Sequence, residues 1–175
     1  MQTYTIVHAS TADADVIAGH RVGMFRDMGQ VPSEALAAGL QSASASALAE
    51  LLRDGAYVGW LAIDHGRRVI AGAGVHIKHQ LPRISPDGSH VEVAPVPLVV
   101  NVYTEPEWRR RGIARALMQT LMAWAVDRGF DRVVLHASDD GRPLYESLGF
   151  AATNEMRWNP ATDGLPGPTA APVSR

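Results

Sequence analysis

Four arginines crowd one short stretch of this chain, residues 109–115 (RRRGIAR), around a single glycine. A helix that begins here leaves the first N–H groups of its backbone without intrahelical acceptors, pointing out along the axis. With the helix dipole they make a site for a compact anion such as a pyrophosphate. Gly112 lets phosphate oxygens reach the backbone where a Cβ would obstruct them, and Ala114 keeps the next position small. The flanking Arg109, Arg110, Arg111 and Arg115 add charge-assisted hydrogen bonds. The competing reading is a solvated charge run. Positive charge at a helix start opposes the dipole, however, so a bound anion accounts for the cluster better.

The background against which this patch stands narrows the ligand. The chain carries a net charge of −2, with 46% hydrophobic and 19% charged residues, a composition ordinary for a globular domain. A nucleic-acid track usually needs a basic domain, so no nucleic-acid partner is expected. Cysteine is absent, which excludes disulfide scaffolds, thiolate metal sites and a cysteine nucleophile. His76 and His79 sit three apart on a predicted strand and face opposite sides, so no metal is expected. No G-x-x-x-x-G-K-[ST] phosphate loop occurs. No apolar run approaches the roughly 20 residues that span a bilayer, and residues 1–10 lack the pattern of a signal peptide. A cytoplasmic protein with no membrane partner is the expectation.

The elements that position the patch follow from periodicity. Residues 3–8 alternate as a first strand. Ser10 and Thr11 start a helix that ends near Gly29, and Pro32-Ser33-Glu34 opens a second that stops at Asp54-Gly55. Residues 57–63 and 69–79 read as a hairpin turning at Asp64-His65-Gly66. Gly72 and Gly74 within it suggest a bulge or a close backbone approach. Residues 81–95, rich in Pro, Gly, Ser and Asp, read as a loop. Residues 97–103 (PLVVNVY) form a central strand, buried on both faces. From Gly112 a helix places Ile113, Leu117, Leu121, Trp124 and Ala125 on one face, ending at Arg128-Gly129. Residues 132–136 read as another buried strand. Asp140 or Gly141 begins a short helix stopped at Gly149, and residues 153–158 give a last strand. Residues 1–158 make one domain, and the Pro/Gly/Ala-rich tail 159–175 has no period.

The segment Arg109-x-x-Gly112-x-Ala114 is similar to the Q/R-x-x-G-x-G/A signature of the GNAT superfamily of acyl-CoA-dependent N-acetyltransferases. Tyr103-Thr104-Glu105-Pro106-Glu107-Trp108-Arg109 resembles the strand end that precedes that loop. Leu144-Tyr145-Glu146-Ser147-Leu148-Gly149-Phe150 resembles the family's LYEKLGF segment. The resemblance covers roughly residues 96–158. It implies an α/β (α+β) fold: a central mixed, mostly antiparallel twisted sheet, splayed at the cofactor site and flanked by helices. It also implies acetyl transfer from acetyl-CoA to a primary amine by direct attack in a ternary complex.

Under this resemblance the amides around Arg110, Arg111, Gly112, Ile113, Ala114 and Arg115 hold the coenzyme A pyrophosphate. Val102, Tyr103 and Thr104 pair with the pantetheine arm, in the manner of an added strand. Tyr145 protonates the leaving thiolate, a role its reference pKa of about 10 allows at neutral pH. Two features depart from the family pattern. Ser138 stands where an asparagine is common, able to bind ligand or to cap a helix. The central strand has no carboxylate to act as general base. That leaves Asn101 or Tyr103 to bind the acceptor, and His136, Glu92 or a water chain to take the proton. His136 also reads as a structural histidine, and Trp108 as a packing residue or a shield for the cofactor. The acceptor is a small-molecule or peptide amine, and a homodimer is the expected assembly. A non-catalytic acyl-CoA-binding domain on the same fold is the alternative.

Overall fold

A computed structural model describes residues 4–85 and 87–153. The expected last strand, from residue 154 onward, and the tail 159–175 lie outside the described residues. β1 (Tyr4–His8) leads through a 3-10 turn (Thr11–Asp13) into α1 (Ala14–Asp27), followed by α2 (Glu34–Arg53). The local start signals do what their chemistry dictates. The Asp13 carboxylate accepts from the Ser10 amide at 2.7 Å, and Ser33 Oγ accepts from the Leu36 amide at 3.3 Å to cap α2. α2 is long and apolar enough, by length and composition, to cross a membrane, a property the sequence reading did not credit to any segment. Its Ala37, Ser44 and Leu48 are nevertheless buried, with Leu48 in a core shared by Ile17, Ala18, Tyr57 and Leu61.

β2 (Tyr57–Asp64) and β3 (Val69–Lys78) form the predicted hairpin. The left-handed residue of its turn is Arg67, at φ 65°, one position beyond the predicted turn. The 81–95 segment is not purely loop. It contains β4 (Arg83–Ile84) and β5 (Val91–Glu92), a separate two-stranded ribbon. Strands this short carry no readable period, which is why composition alone pointed to a loop.

β6 (Val96–Thr104), expected at the centre, is the fourth of the five described strands, with β3 in the middle; α3 (Ile113–Asp127) follows it, and β7 (Val134–Leu135) and α4 (Arg142–Ser147) complete the described chain. The sheet order is β1-β2-β3-β6-β7, antiparallel throughout except for the parallel β6–β7 pair. α1 and α2 cover one face and α3 the other: Ile113, Leu117, Met118 and Leu121 pack with Trp60, Ala71, Ala73 and Val99. β7 corrects one expectation. It is short, and Val134 is 36% exposed rather than buried. β7 pairs with β6 only at Leu98/Val134 and Val99/Leu135, so β6 runs on past its neighbour.

The expectation for Gly72 and Gly74 is met twice. Gly72 pairs with Tyr103 and Gly74 with Val100, so β6 carries one residue more than β3 between these pairs. This is a bulge. Asn101 takes up the difference at φ 58°. At Gly74 a Cβ would lie 2.1 Å from the Tyr57 hydroxyl oxygen, whose ring fills the space. Gly74→Ala should therefore destabilise the fold by about 1–3 kcal/mol, read as a lowered denaturant midpoint. An unchanged midpoint would mean that Tyr57 yields freely.

Candidate active site

The site begins where β6 outruns β7. Val102 packs with the core under α3, while Val100 packs with the core under α1 and α2. The bulge thus turns Asn101 and Tyr103 toward α1. Asn101 is 6% exposed, and its Oδ1 accepts from Arg21 of α1 at 2.8 Å. The Tyr57 hydroxyl also bonds Asn101, and burial pushes its pKa up to about 12 although Asn101 and Arg21 act the other way. The Tyr103 ring lies against α1 at Gly23 and 5.2 Å from the His20 ring.

Beyond β6 the chain passes through a second 3-10 turn, Pro106–Trp108. Arg110 at φ 61° and Gly112 at φ 79° are both left-handed, while Arg111 between them is not. Such alternation gathers successive N–H groups into a concavity suited to an anion. The first backbone bond of α3 runs from the Ala116 amide to the Gly112 carbonyl at 3.0 Å. The amides of Gly112, Ile113, Ala114 and Arg115 therefore lie ahead of the helical ladder. A Cβ built on Gly112 meets nothing within 4 Å. The glycine is required by its backbone angle, and the space before it is open.

The arginines divide their work. Arg109 Nε donates to the Thr104 carbonyl at 2.9 Å, its Nη2 pairs with Asp27 at 2.6 Å, and its guanidinium lies over the Tyr103 ring. It fastens the loop to β6 and to the end of α1, where an unpaired acid would oppose the helix dipole. Arg111 donates to the Glu107 carbonyl at 3.0 Å and stacks over Trp108, which itself packs against the core. Arg115 donates to Ser147 Oγ at 2.8 Å, tying the head of α3 to α4. The side chain of Arg110 is exposed, and of these four it is the one without a hydrogen bond or ion pair among the described residues. Thr104 Oγ1 is buried without a partner.

α4 holds Tyr145 on the α3 side, packed like Val102 and Trp108 against the core under α3. Its ring lies edge-on to Phe150, with centroids 6.1 Å apart, and covers Gly141, where a Cβ would come within 2.9 Å of it. Burial raises the pKa of Tyr145, so the hydroxyl stays protonated and able to donate. Ser138 caps this helix: its carbonyl accepts from the Arg142 amide at 2.9 Å and its Oγ accepts from the Gly141 amide at 3.2 Å. Of the residues considered as proton acceptors, Glu92 is held by Arg83 and by Arg132 at 3.1 Å. His136 is exposed just past β7.

His20, Arg21, Asp27 and Tyr57 join this neighbourhood without having been singled out in the sequence. His20 is 3% exposed with both ring nitrogens unpartnered, and burial lowers its pKa from 6.5 to about 4. The Glu105 carboxylate stands 3.7 Å away and favours the charged ring, but burial prevails. As pH falls through this window the unfolded chain takes up a proton that the folded one refuses, so folding stability falls with pH. The slope should approach about 1.4 kcal/mol per pH unit for this one group. Urea midpoints at pH 7 and pH 4.5 should show the loss in the natural chain and a smaller one in His20→Leu. Equal losses would contradict this reading of His20.

The mostly antiparallel sheet thus parts beside β6, with an anion-ready helix start at the parting. The chain belongs to the acetyltransferase (GNAT) family, whose sequence model matches residues 25–150. It is similar in structure to a GCN5-related N-acetyltransferase from Ralstonia eutropha JMP134: TM-score 0.77, 30% identity, covering 90% of this chain and 99% of that one. A predicted acetyltransferase from Clostridium acetobutylicum, solved with acetyl-CoA, gives TM-score 0.75 and 25% identity over 89% of this chain and 96% of that one. In sequence the chain is 29% identical to aminoglycoside N(6')-acetyltransferase type 1 of Stenotrophomonas maltophilia, over 71% of this chain and 69% of the relative. Its match to human N-acetyltransferase 8, 34% identical over 31% of this chain, spans only 26% of that protein. The fold, the family and acyltransferase activity expected from the sequence therefore stand.

Proposed function

We propose that the chain binds acetyl-CoA at the head of α3 and passes the acetyl group directly to a primary amine. The observation that carries this reading is the conjunction of the β6–β7 parting with the free amides that follow it. The pyrophosphate rests on the amides of residues 110–115, with Arg110 as the available side-chain cation. The pantetheine arm lies along the edge of β6 that β7 leaves uncovered, at Val102, Tyr103 and Thr104. The acceptor comes from the α1 side, at the Asn101 bulge. Its nitrogen lone pair forms the N–C bond, the C–S bond breaks toward sulfur, and Tyr145 supplies the thiolate with a proton. The ammonium proton leaves through water, because β6 carries no carboxylate. A neighbour solved with acetyl-CoA supports this choice of donor.

Mixing the protein with acetyl-CoA and a panel of primary amines tests the proposal. Free thiol should appear in step with a product one acetyl group heavier than the acceptor. Binding of acetyl-CoA with no thiol release from any amine would favour the alternative, an acyl-CoA-binding domain without turnover.

A further inference from the structure

The acceptor side of the proposed site has a distinct chemical character. Arg21 is half-buried on α1 and spends one nitrogen, Nη1, on Asn101. Among the described residues no carboxylate lies within ion-pair distance of it. Two acids that follow it in the chain are held by other arginines: Asp27 by Arg109 and Glu34 by Arg26, both pairs at 2.6 Å. A guanidinium presents a fork of donors, so Arg21 keeps Nε and Nη2 for another acceptor beside the bulge. One helical turn further, Phe25 lies under the Arg21 guanidinium, 5.0 Å from it. Phe25 is also one wall of an open cleft of about 260 Å³, lined otherwise by Gln30, Val31, Leu36 and Leu40. That is below the roughly 300–1,000 Å³ of drug-sized sites and suits a single apolar group. Leu36 is 59% exposed.

Asn101, Arg21, Phe25 and the cleft thus succeed one another, spaced by α1 at about 1.5 Å per residue. We infer that the acceptor is a primary amine bearing a carboxylate for Arg21 and an apolar substituent for the cleft, as in an apolar α-amino acid. A polycationic acceptor would meet an uncompensated guanidinium at the point where its amine must react. This inference rests on the function proposed above, since it takes the bulge as the place where the amine arrives.

Phenylalanine, phenylalaninamide, spermidine and glucosamine 6-phosphate serve as probes, each assayed by thiol release from acetyl-CoA. Phenylalanine should exceed its amide, which lacks the carboxylate charge, by about tenfold or more in kcat/KM, a difference of about 1.4 kcal/mol. Spermidine should be poorer still. In Arg21→Gln the ratio between acid and amide should collapse toward one through KM, while acetyl-CoA still raises the unfolding temperature. Arg21→Lys, which keeps the charge, should restore part of the ratio. Equal turnover of acid and amide, preference for spermidine, or no turnover of phenylalanine by a protein that acetyl-CoA stabilises would overturn the inference. Preference for glucosamine 6-phosphate would overturn the apolar carboxylate in favour of a phosphate. A failure of acetyl-CoA to stabilise the natural protein is a different result, and strikes the proposed function itself.

Discussion

Tyr145→Phe should lower kcat for acetyl transfer by about 10²- to 10⁴-fold, the range for loss of a positioned proton donor, with little change in acetyl-CoA affinity. The substitution is clean because the ring is held by apolar contacts that phenylalanine keeps: the edge-on Phe150 and the space over Gly141. Only the hydroxyl is lost. Without it the thiolate must leave unprotonated or find water, and the leaving step slows. The pH profile supplies a second signature. Burial raises the Tyr145 pKa, so the protonated form persists above the usual tyrosine value of about 10. The fall in rate on the alkaline side should therefore come above that value in the natural enzyme and disappear in the variant. A Tyr145→Phe enzyme with undiminished kcat would remove Tyr145 from the chemistry and leave it a packing residue.

Gly112→Glu should raise the Kd for acetyl-CoA by about 100-fold or more, measured by calorimetric titration. Two effects act together. The residue sits at φ 79°, where a side chain costs about 1–2 kcal/mol. That cost is borne by the free protein as well, so it loosens the loop without by itself setting the affinity. The larger effect is at the ligand. The Cβ direction is open, so the carboxylate projects into the space the phosphates need and repels them. Gly112→Ala, with the backbone strain but no charge, should show a smaller loss and separates the two contributions. Unchanged affinity in Gly112→Glu would place the pyrophosphate elsewhere.

Much of this was legible in the sequence because the signals were local. The 57–79 hairpin announces itself by alternation around a polar turn. α3 announces itself by the face shared by Ile113, Leu117 and Leu121, and Gly112 by its place between the arginines and that face. Features that depend on contacts distant in sequence were not legible. Nothing beside Arg109 in the sequence announces its pairing with Asp27, 82 residues away. Nothing in the order of residues brings Arg21 to Asn101, 80 positions on. The bulge was foreseen from the glycines of β3. The extra residue itself belongs to β6, at Asn101, opposite the glycines that suggested it. β7 read as buried because its residues are apolar, yet burial depends on what lies beside a strand as well as on its own side chains.

The central claim is that acetyl-CoA binds the folded chain at the head of α3, and thermal unfolding of the unaltered protein tests it most directly. A ligand that binds only the native state, at about 100 times its Kd, adds about 2.7 kcal/mol of stability. Acetyl-CoA should accordingly raise Tm by several degrees, more than an equal concentration of pantetheine, which lacks the pyrophosphate. A Tm unmoved by millimolar acetyl-CoA, in a protein that unfolds cooperatively, would contradict the account.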